Sequence, residues 1–369
     1  MRVVVVGGGV LGTMHALLAL RRGHEVVQIE RDREARGASV RNFGLIWVSG
    51  RAEGDELAAA LRGRQLWEEI SSIAPGIGFR AAGSMTVIRT AAEFEVAETA
   101  MNLPSARARE FELVNPSQAR EVNPALGGDF LGALWCRRDG VIEPRATQIA
   151  LRDVLRENPS YTWLPGREVR DVSATTVRDD LGESHGADAV VLCTGAWLGG
   201  LVRELAPELP VRRVRVQMMQ TEPFGVPLET AVADADSFRY HPAYDSTRLS
   251  AMQPQAAVAE RSAMQLLMVQ RTDGALTIGD THAYDEPFAF DVEEPPYKHL
   301  VSTAKHLLGT KLPKIRRRWS GVYSETVDGS AIVHRQQVGS GVWLVTGAGG
   351  RGMTCAPAIA EATLDAIGL

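Results

Sequence analysis

The chain has 369 residues, with 40 Lys or Arg, 45 Asp or Glu and a formal net charge of −5 at pH 7. This length predicts two domains of ordinary size instead of one simple core. The mildly acidic balance, without a broad basic face, argues against a nucleic-acid partner. No run of about eighteen apolar residues occurs, and Met1 leads almost directly into the short run VVVVGGG, so we expect a soluble cytoplasmic protein without a membrane span or signal peptide.

The three cysteines, Cys136, Cys193 and Cys355, lie far apart in the sequence. They form no CxxC pair and no Cys/His spacing of the kind that binds a metal. We therefore predict that they are small buried apolar residues in a reducing compartment, with no metal site.

The first elements along the chain form one βαβ unit. Residues 3–6 are a β-branched run without polar alternation, which is typical of a strand buried on both faces of a parallel sheet. A predicted helix over residues 13–22 and a second strand over residues 26–30 follow. Two later segments, residues 189–195 and Val342–Thr346, have the same all-apolar character, so four buried strands come from three separated parts of the chain.

The middle of the chain has a different character. Residues 213–223 (RVRVQMMQTEP) and 266–282 (LLMVQRTDGALTIGDTH) predict longer strands at exposed edges, joined by turns such as Thr272-Asp273-Gly274. We interpret these segments as a mixed or antiparallel sheet, in a second domain inserted into the first.

A glycine turn joins the first strand to the first helix. Gly7 permits a tight turn, Gly9 lets the backbone approach a pyrophosphate, and Gly12 allows close packing of helix on strand. Glu30 lies at the end of the next strand, where its carboxylate can accept hydrogen bonds from a ribose diol. The pattern predicts a dinucleotide site that includes Val10, Leu11 and Arg31, and the acid favours FAD or NAD over NADP.

Four further segments decide between FAD and NAD. They are SVRNFG at residues 39–44, CTGAW at 193–197, VDG at 327–329 and the glycine-rich turn GAGGRGMT at 347–354. Their order and spacing resemble the FAD-dependent oxidoreductases of the D-amino-acid-oxidase superfamily, which includes glycine oxidase and sarcosine oxidase. The resemblance covers nearly the whole chain. RNFGLIWVSG, VQMMQTEP, DGALTIGDTH and GAGGRGMT also resemble the clade proposed to act in phosphonate catabolism.

The resemblance implies an α/β plus α+β fold with discontinuous domains. A Rossmann-like FAD-binding domain would comprise residues 1–80, 140–210 and 325–369. A substrate domain centred on a mixed or antiparallel sheet would comprise residues 81–139 and 211–324. The oligomeric state stays open.

The resemblance also implies where FAD lies. The N-terminal glycine turn would hold the pyrophosphate, and the C-terminal turn and the helix after it would pass beside the flavin ring, with Arg351 adding a positive charge. For both arginines a structural role is the alternative: Arg351 would lie on a plain helix-capping loop, and Arg41 would form a surface ion pair.

Gly321 occupies the position of the cysteine that tethers flavin in some relatives, so non-covalent FAD is expected. Beyond the first turn, the predicted FAD-binding residues are Ser39, Arg41, Asn42, Phe43, Gly44, Thr194, Gly195, Trp197, Gly347, Gly349, Gly350, Arg351, Gly352, Met353 and Thr354.

The substrate side departs from the glycine-oxidase pattern. Tyr323 stands where that pattern has an arginine for the substrate carboxylate, which weakens the case for a simple α-amino acid. A phosphonate needs several donors because it has three oxygens and more than one negative charge. The candidate substrate-binding residues are Arg239, Tyr240, His241, His282, Tyr323 and Trp47, and each has a purely structural role as its alternative.

The predicted activity is hydride transfer from a small amine to flavin N5, followed by imine hydrolysis, with an aminoalkylphosphonate or its N-methyl derivative as the plausible substrate. Thr277 replaces the oxygen-activating lysine of sarcosine-oxidase relatives, so either oxygen or an electron carrier is the acceptor. A glycine- or sarcosine-type oxidase or dehydrogenase is an alternative. A non-catalytic flavoprotein, with Phe43 and Trp47 as a plug over the ring, and an NAD-dependent dehydrogenase are alternatives of other kinds.

Overall fold

The protein is described from a computed structural model that covers residues 1–329 and 331–369. The strands are β1 (Arg2–Val6), β2 (Glu25–Glu30), β3 (Leu45–Ile46), β4 (Ser84–Ile88), β5 (Phe111–Val114), β6 (Gly132–Cys136), β7 (Gly140–Val141), β8 (Tyr161–Pro165), β9 (Val169–Val172), β10 (Thr176–Asp179), β11 (Ser184–Gly186), β12 (Ala189–Leu192), β13 (Val211–Pro223), β14 (Ala231–Asp234), β15 (Leu267–Gln270), β16 (Ala275–Gly279), β17 (Ile315–Thr326), β18 (His334–Gly339) and β19 (Val342–Thr346). The helices are α1 (Val10–Arg21), α2 (Asp55–Ile73), α3 (Ala91–Met101), α4 (Ala106–Arg109), α5 (Pro116–Val122), α6 (Pro144–Arg156), α7 (Leu201–Leu205), α8 (Ala257–Arg261), α9 (Glu294–Leu308) and α10 (Gly352–Ala366).

A six-stranded sheet forms the first half of the architecture, with the strand order β18-β19-β12-β1-β2-β8. β1 pairs in parallel with β2 and β12, β12 pairs in parallel with β19, and β2 pairs in parallel with β8. β18 is antiparallel to β19 at one edge. The four apolar strands predicted from the sequence are thus neighbours in one sheet, and the predicted α/β fold class is confirmed.

The two outer strands of this sheet escaped prediction because they lack the all-apolar pattern. β8 reads YTWLP and β18 reads HRQQVG, and each lies at an edge of the sheet. Helix α1 begins at Val10, three residues earlier than predicted, because Gly9 already has the extended backbone of an N-cap residue, with φ −73° and ψ 178°.

An eight-stranded mixed sheet forms the second half, with the order β17-β13-β16-β15-β14-β4-β6-β5. The predicted hairpin of β15 and β16 is present and antiparallel. The expectation that these segments lie at exposed edges was wrong, because β13 is flanked by β17 and β16, and β17 and β5 are the outermost strands. Two polar side chains of β13 are satisfied inside the protein: Gln217 accepts from the Glu293 amide at 2.6 Å, and Thr221 accepts from the Leu276 amide at 3.0 Å.

The two sheets draw their strands from alternating parts of the chain. The six-stranded sheet uses strands within residues 2–30, 161–192 and 334–346, and the eight-stranded sheet uses strands within residues 84–136 and 211–326. The residue limits of the FAD-binding and substrate domains given above remain a prediction from the sequence.

Helices α1, α2 and α10 pack together over one face of the six-stranded sheet. Where α2 meets α10, a Cβ on Gly63 would lie 2.2 Å from the Thr354 carbonyl oxygen, so only glycine allows this approach. The Trp67 indole donates to the Met353 carbonyl at 2.8 Å in the same contact. This packing fixes the start of α10, which carries the second glycine turn.

All three cysteines are free and buried, as predicted. Across residues 1–329 and 331–369, none of the helices is long and apolar enough to cross a membrane.

Candidate cofactor and substrate site

A cavity of about 520 Å³ opens where the carboxyl ends of β1, β2 and β12 meet β17. Ligands of open α/β sheets bind outside the carboxyl ends of their strands, and this is the position found here. The cavity wall includes Gly7, Gly9, Val10, Leu11, Glu30, Arg31, Ser39, Arg41, Thr194, Gly195, Trp197, Tyr323, Gly349 and Gly352 among the predicted residues. Both glycine turns therefore border one space.

The first turn has the geometry that a pyrophosphate needs. Gly7 has φ +115°, and a Cβ there would lie 2.3 Å from the Cys193 carbonyl oxygen. A Cβ on Gly12 would lie 2.1 Å from the Gly7 carbonyl oxygen. Both positions accept only glycine, and they bring the start of α1 to the cavity, where backbone amides and the helix dipole favour an anion.

Glu30 and Ser39 flank this turn. Glu30 accepts from the Gly8 amide at 2.6 Å and from the Asp32 amide at 2.9 Å, and its carboxylate keeps lone pairs for a ribose diol. The Ser39 hydroxyl accepts from the Val10 amide at 2.9 Å. The carboxylate and the hydroxyl thus stand beside the amides of the turn, as a dinucleotide site requires.

The second turn needs glycine at two positions. Gly347 has φ +77° and Gly349 has φ +62°, both in the left-handed region. Gly349 and Gly352 face the cavity, and α10 begins at Gly352 without an acidic residue in its first turn. The positive end of α10 is therefore directed toward the cavity without a neutralising carboxylate in that turn.

Two hydroxyls join the second turn to the segment after β12. The Ser324 hydroxyl at 3.0 Å and the Thr346 hydroxyl at 2.8 Å both donate to the Gly195 carbonyl. The Gly347 amide donates to the Ser324 hydroxyl at 3.2 Å. Among the described residues, the buried Thr194 hydroxyl has no hydrogen-bond partner, so it is available to a ligand in the cavity.

The residues present fit an FAD molecule. At Gly7 and Gly12 a Cβ would clash with backbone oxygens, so the turn there depends on glycine. Thr194, whose hydroxyl has no partner among the described residues, lines the same cavity. Arg31 stacks over the Trp197 ring at 4.1 Å on the cavity wall. This pair offers a cationic and aromatic surface to the cofactor.

Three predicted residues of the second turn point into the protein instead of the cavity. Arg351 is 9% exposed, and it donates to Glu56 at 3.0 Å and to the Gly329 carbonyl at 3.2 Å. Thr354 accepts from the Trp47 amide at 2.8 Å. Met353 is buried in the packing of the helices. The structure thus gives Arg351 a carboxylate partner, where the sequence suggested a charge directed at the flavin.

The segment after Ser39 folds against β17. Arg41 donates to the Ser320 carbonyl at 2.9 Å, and the Trp319 indole donates to the Arg41 carbonyl at 3.1 Å. Asn42 accepts from the Gly44 amide at 2.6 Å. Gly44 has φ +71°, and a Cβ there would lie 2.1 Å from the Ile142 carbonyl oxygen. Arg41 therefore has a backbone partner in place of the surface ion pair considered above.

Phe43 and Trp47 are buried, 7% and 3% exposed, in a cluster on the eight-stranded sheet. Neither is among the described residues that line the cavity. Trp47 packs against His241, with ring centroids 5.5 Å apart. A Cβ on Gly50 would lie 2.4 Å from the Trp47 indole nitrogen, so this loop also needs glycine.

The predicted substrate residues lie in two groups. Arg239 pairs with Asp236 at 3.1 Å and donates to the Gln253 carbonyl, so its charge is compensated. The Tyr240 hydroxyl donates to Gln255 at 2.6 Å. His282 stacks with Tyr240, with centroids 6.2 Å apart, whereas Tyr323 lies on the cavity wall. The sequence favoured Arg239 as the residue that binds the anionic group of the substrate. In the structure its guanidinium group instead binds Asp236 and the Gln253 carbonyl.

Sequence reasoning missed Asp280, Gln265 and Arg51. Asp280 and Gln265 are 8% and 5% exposed, and each has a buried side-chain oxygen without a partner in the described part of the chain. Arg51 donates to the Trp47 carbonyl at 2.8 Å and to the Gly350 carbonyl at 3.3 Å. An acid directly after the strand ALTIG was the one local signal that pointed to Asp280.

Comparison with known proteins identifies the family. The model described as "FAD dependent oxidoreductase" matches residues 2–366. The chain is 33% identical over 242 residues to a D-amino-acid oxidase of Streptomyces coelicolor, covering 64% of this chain and 63% of that protein. It is 26% identical over 239 residues to one of the subunits of an opine oxidase from Rhizobium meliloti, covering 59% and 62%. These two matches therefore span less than two thirds of each relative.

Two glycine oxidases match over almost the full length. The protein of Pseudomonas putida is 25% identical over 387 residues, covering 99% of this chain and 93% of that protein. The crystal structure of glycine oxidase from Geobacillus kaustophilus has a TM-score of 0.78 at 21% identity, covering 100% and 95%. The structural match establishes the fold.

Proposed function

Because the chain belongs to the FAD-dependent oxidoreductase family, we propose that it oxidises the C–N bond of a small amine or amino acid. The main support for this proposal is that both glycine turns border one cavity, whose wall also includes Glu30 and Tyr323. An NAD-dependent dehydrogenase would use only the first glycine turn, so that reading gives no role to the glycine turn of residues 347–354.

FAD supplies the hydride acceptor in this chemistry. The chain's task is to hold the cofactor and to orient the substrate C–H bond against it. The amides of the first turn and Glu30 would hold the pyrophosphate and the ribose. The amides of the second turn and the start of α10 would offer partial positive charge to the ring edge that gains electrons. We propose non-covalent binding, because position 321 is glycine.

We propose an aminoalkylphosphonate or its N-methyl derivative as the substrate, with oxygen or an electron carrier as the acceptor. The resemblance of RNFGLIWVSG and DGALTIGDTH to the phosphonate clade supports this class, and tyrosine at position 323, in place of the arginine of the glycine-oxidase pattern, weakens the case for a simple α-amino acid. A glycine or sarcosine type of substrate is the second candidate, supported by two glycine-oxidase matches that cover nearly the whole chain.

Anaerobic mixing of the yellow protein with 2-aminoethylphosphonate, its N-methyl derivative, glycine and sarcosine separates these candidates. Loss of flavin absorbance with the phosphonates alone supports the first class. Bleaching by glycine or sarcosine alone supports the second. A colourless protein that does not take up added FAD contradicts the proposed function.

A further inference from the structure

Four arginines lie together on the surface beside the cofactor cavity. Arg145 is the second residue of α6, Arg316 and Arg317 are adjacent on β17, and Arg41 lies in the segment before β3. All four are exposed. Partial burial lowers the pKa of Arg145, and the charges of the other three arginines lower it further, so the four groups are close enough to act on one another. These four residues are called the arginine patch below.

The arginine patch has little compensating charge. Arg316 pairs with Asp273 at 2.8 Å. Arg41, Arg145 and Arg317 form no ion pair within residues 1–329 and 331–369. Four arginines against one carboxylate leave a local net charge of +3, on a chain whose formal net charge is −5. The patch therefore differs in sign from the protein as a whole.

The start of α6 adds to the positive potential of the patch. Arg145 lies in the first turn of this helix, which has no acidic residue there, although the positive end of a helix disfavours a cation. The N-cap residue Glu143 directs its carboxylate to the Arg271 guanidinium at 3.7 Å and to the Thr272 amide at 3.1 Å. The chain thus keeps like charges together at a cost in folding stability, which is typical of a surface that binds an anion.

The arginine patch is continuous with the wall of the cavity. Arg41 and Ser320 line the cavity, and the Arg41 guanidinium donates to the Ser320 carbonyl at 2.9 Å. The Trp319 indole donates to the Arg41 carbonyl at 3.1 Å, and the Arg145 guanidinium lies over the Trp319 ring, 5.1 Å from its centroid. One connected set of contacts therefore runs from the cofactor cavity to the exposed arginines.

The charges of the patch act mainly outside the cavity. Arg145, Arg316 and Arg317 are not among the described residues that line it. Because these exposed charges are spread over α6 and β17, they fit the acidic face of a protein better than a single small anion. Arginine and tryptophan are also among the residue types enriched at protein interfaces.

We propose that the arginine patch docks the acidic face of a one-electron carrier protein, which accepts the electrons that the amine has given to the cofactor. This inference rests on the proposed function and names the class of its electron acceptor. The hydride taken from the amine gives up two electrons, one to each of two carrier molecules, and its hydrogen leaves as a proton to water. Only electrons cross from the cavity to the patch, so the carrier needs no entry to the cavity.

The test measures the reoxidation of protein whose flavin has been reduced with dithionite, so it needs no amine. The electron acceptors are plastocyanin, an acidic copper protein, and mitochondrial cytochrome c, a basic haem protein. The wild type is compared with Arg145→Glu/Arg317→Glu. The matched control is Arg107→Glu/Arg261→Glu, which reverses two exposed charges that do not line the cavity.

At low ionic strength, Arg145→Glu/Arg317→Glu should reduce plastocyanin about 10- to 100-fold more slowly than the wild type does. This difference should shrink as the salt concentration rises, because salt screens exposed charges. The control variant should behave as the wild type does. Reduction of cytochrome c should not be slower in the patch variant, since its basic surface gains nothing from the arginines.

Equal rates of plastocyanin reduction by the patch variant and the wild type would overturn the inference. An equal slowing with ferricyanide, a small anion, would also overturn it, because the patch would then attract small anions instead of docking a protein. A changed oligomeric state of the patch variant in light scattering would identify an interface between copies of this chain and would overturn it as well. If the patch variant does not retain flavin, Arg317→Glu alone decides by the same criteria. Failure of every amine to bleach the oxidised protein would contradict the proposed function, whereas the dithionite experiment would still report on the patch.

A binding measurement without electron transfer tests the patch separately. Calorimetric titration of the oxidised holoenzyme with reduced plastocyanin at low ionic strength gives a dissociation constant. Arg145→Glu/Arg317→Glu should bind about 10-fold more weakly than the wild type, and Arg107→Glu/Arg261→Glu should match the wild type. Equal affinities of the patch variant and the wild type, or no binding to either, would overturn the inference.

Discussion

Arg351 at the start of α10 and Glu56 in the first turn of α2 form an ion pair of 3.0 Å, with both side chains almost fully buried. Arg51 also approaches Glu56, at 3.6 Å. One carboxylate therefore compensates two guanidinium groups behind the second glycine turn. The pair ties the turn to α2, and the positive potential on the cavity side comes from backbone amides and the helix end.

Replacement of Arg351 by Met should destabilise the protein by about 3 kcal/mol, because removal of one partner leaves a buried carboxylate with only its more distant partner. Urea unfolding measures this loss. Arg33→Met, at an exposed position, should stay within about 0.5 kcal/mol of the wild type. The double variant Glu56→Gln/Arg351→Met should be less destabilised than the sum of its single variants. Additive effects would show that the pair contributes no coupling.

The dinucleotide turn was predictable from the sequence because its constraints are local. Gly12 is required by its contact with Gly7 inside one βαβ unit, Gly7 itself has φ +115°, and Glu30 stands at the end of that unit. The apolar strands β1, β12 and β19 were predictable for the same reason, since each is buried on both faces of the sheet. A short stretch of sequence carries all of this information.

Features that depend on distant contacts were not predictable. The partner of Arg351 lies on a helix 295 positions away. β13 has the polar residues expected of an edge strand, yet it lies inside the sheet because other segments satisfy those side chains. No local pattern encodes these relationships.

Replacement of Glu30 by Ala should weaken FAD binding by about 10- to 100-fold, since a hydrogen bond to a charged acceptor contributes about 1.5–3 kcal/mol. Quenching of flavin fluorescence on titration of the apoprotein gives the dissociation constant. Glu34→Ala, an exposed acid four residues on, is the control and should bind FAD as the wild type does. Equal affinity in Glu30→Ala would remove this carboxylate from the ribose site.

Replacement of Gly12 by Ala should greatly reduce FAD binding, because the new Cβ would lie 2.1 Å from the Gly7 carbonyl oxygen and would push α1 away from β1. Overpacking of this kind costs about 1–3 kcal/mol of stability. Gly37→Ala is the control, since it lies on the cavity wall with open space around its Cβ. The flavin content after purification and the melting temperature report the two effects. Normal flavin content and stability in Gly12→Ala would show that helix and strand do not need this contact.

His15 should make the protein sensitive to acid. It is fully buried in α1, its Nδ1 donates to the Leu11 carbonyl at 2.7 Å, and burial lowers its pKa from 6.5 to about 4. Above pH 6.5 the folded and unfolded states are both neutral at this residue, so stability is fully present there. Between pH 6.5 and about 4 the unfolded state binds a proton that the folded state refuses, and about 3 kcal/mol is lost across that window.

His15→Asn keeps a donor for Leu11 and cannot become charged, so it should remove this part of the pH dependence. Urea unfolding at pH 7, 6, 5 and 4 measures the effect. The wild type should lose about 3 kcal/mol more than His15→Asn over this range. His306→Asn, at an exposed position on α9, should follow the wild type. Parallel curves for His15→Asn and the wild type would show that the folded protein protonates His15 as readily as the unfolded chain does.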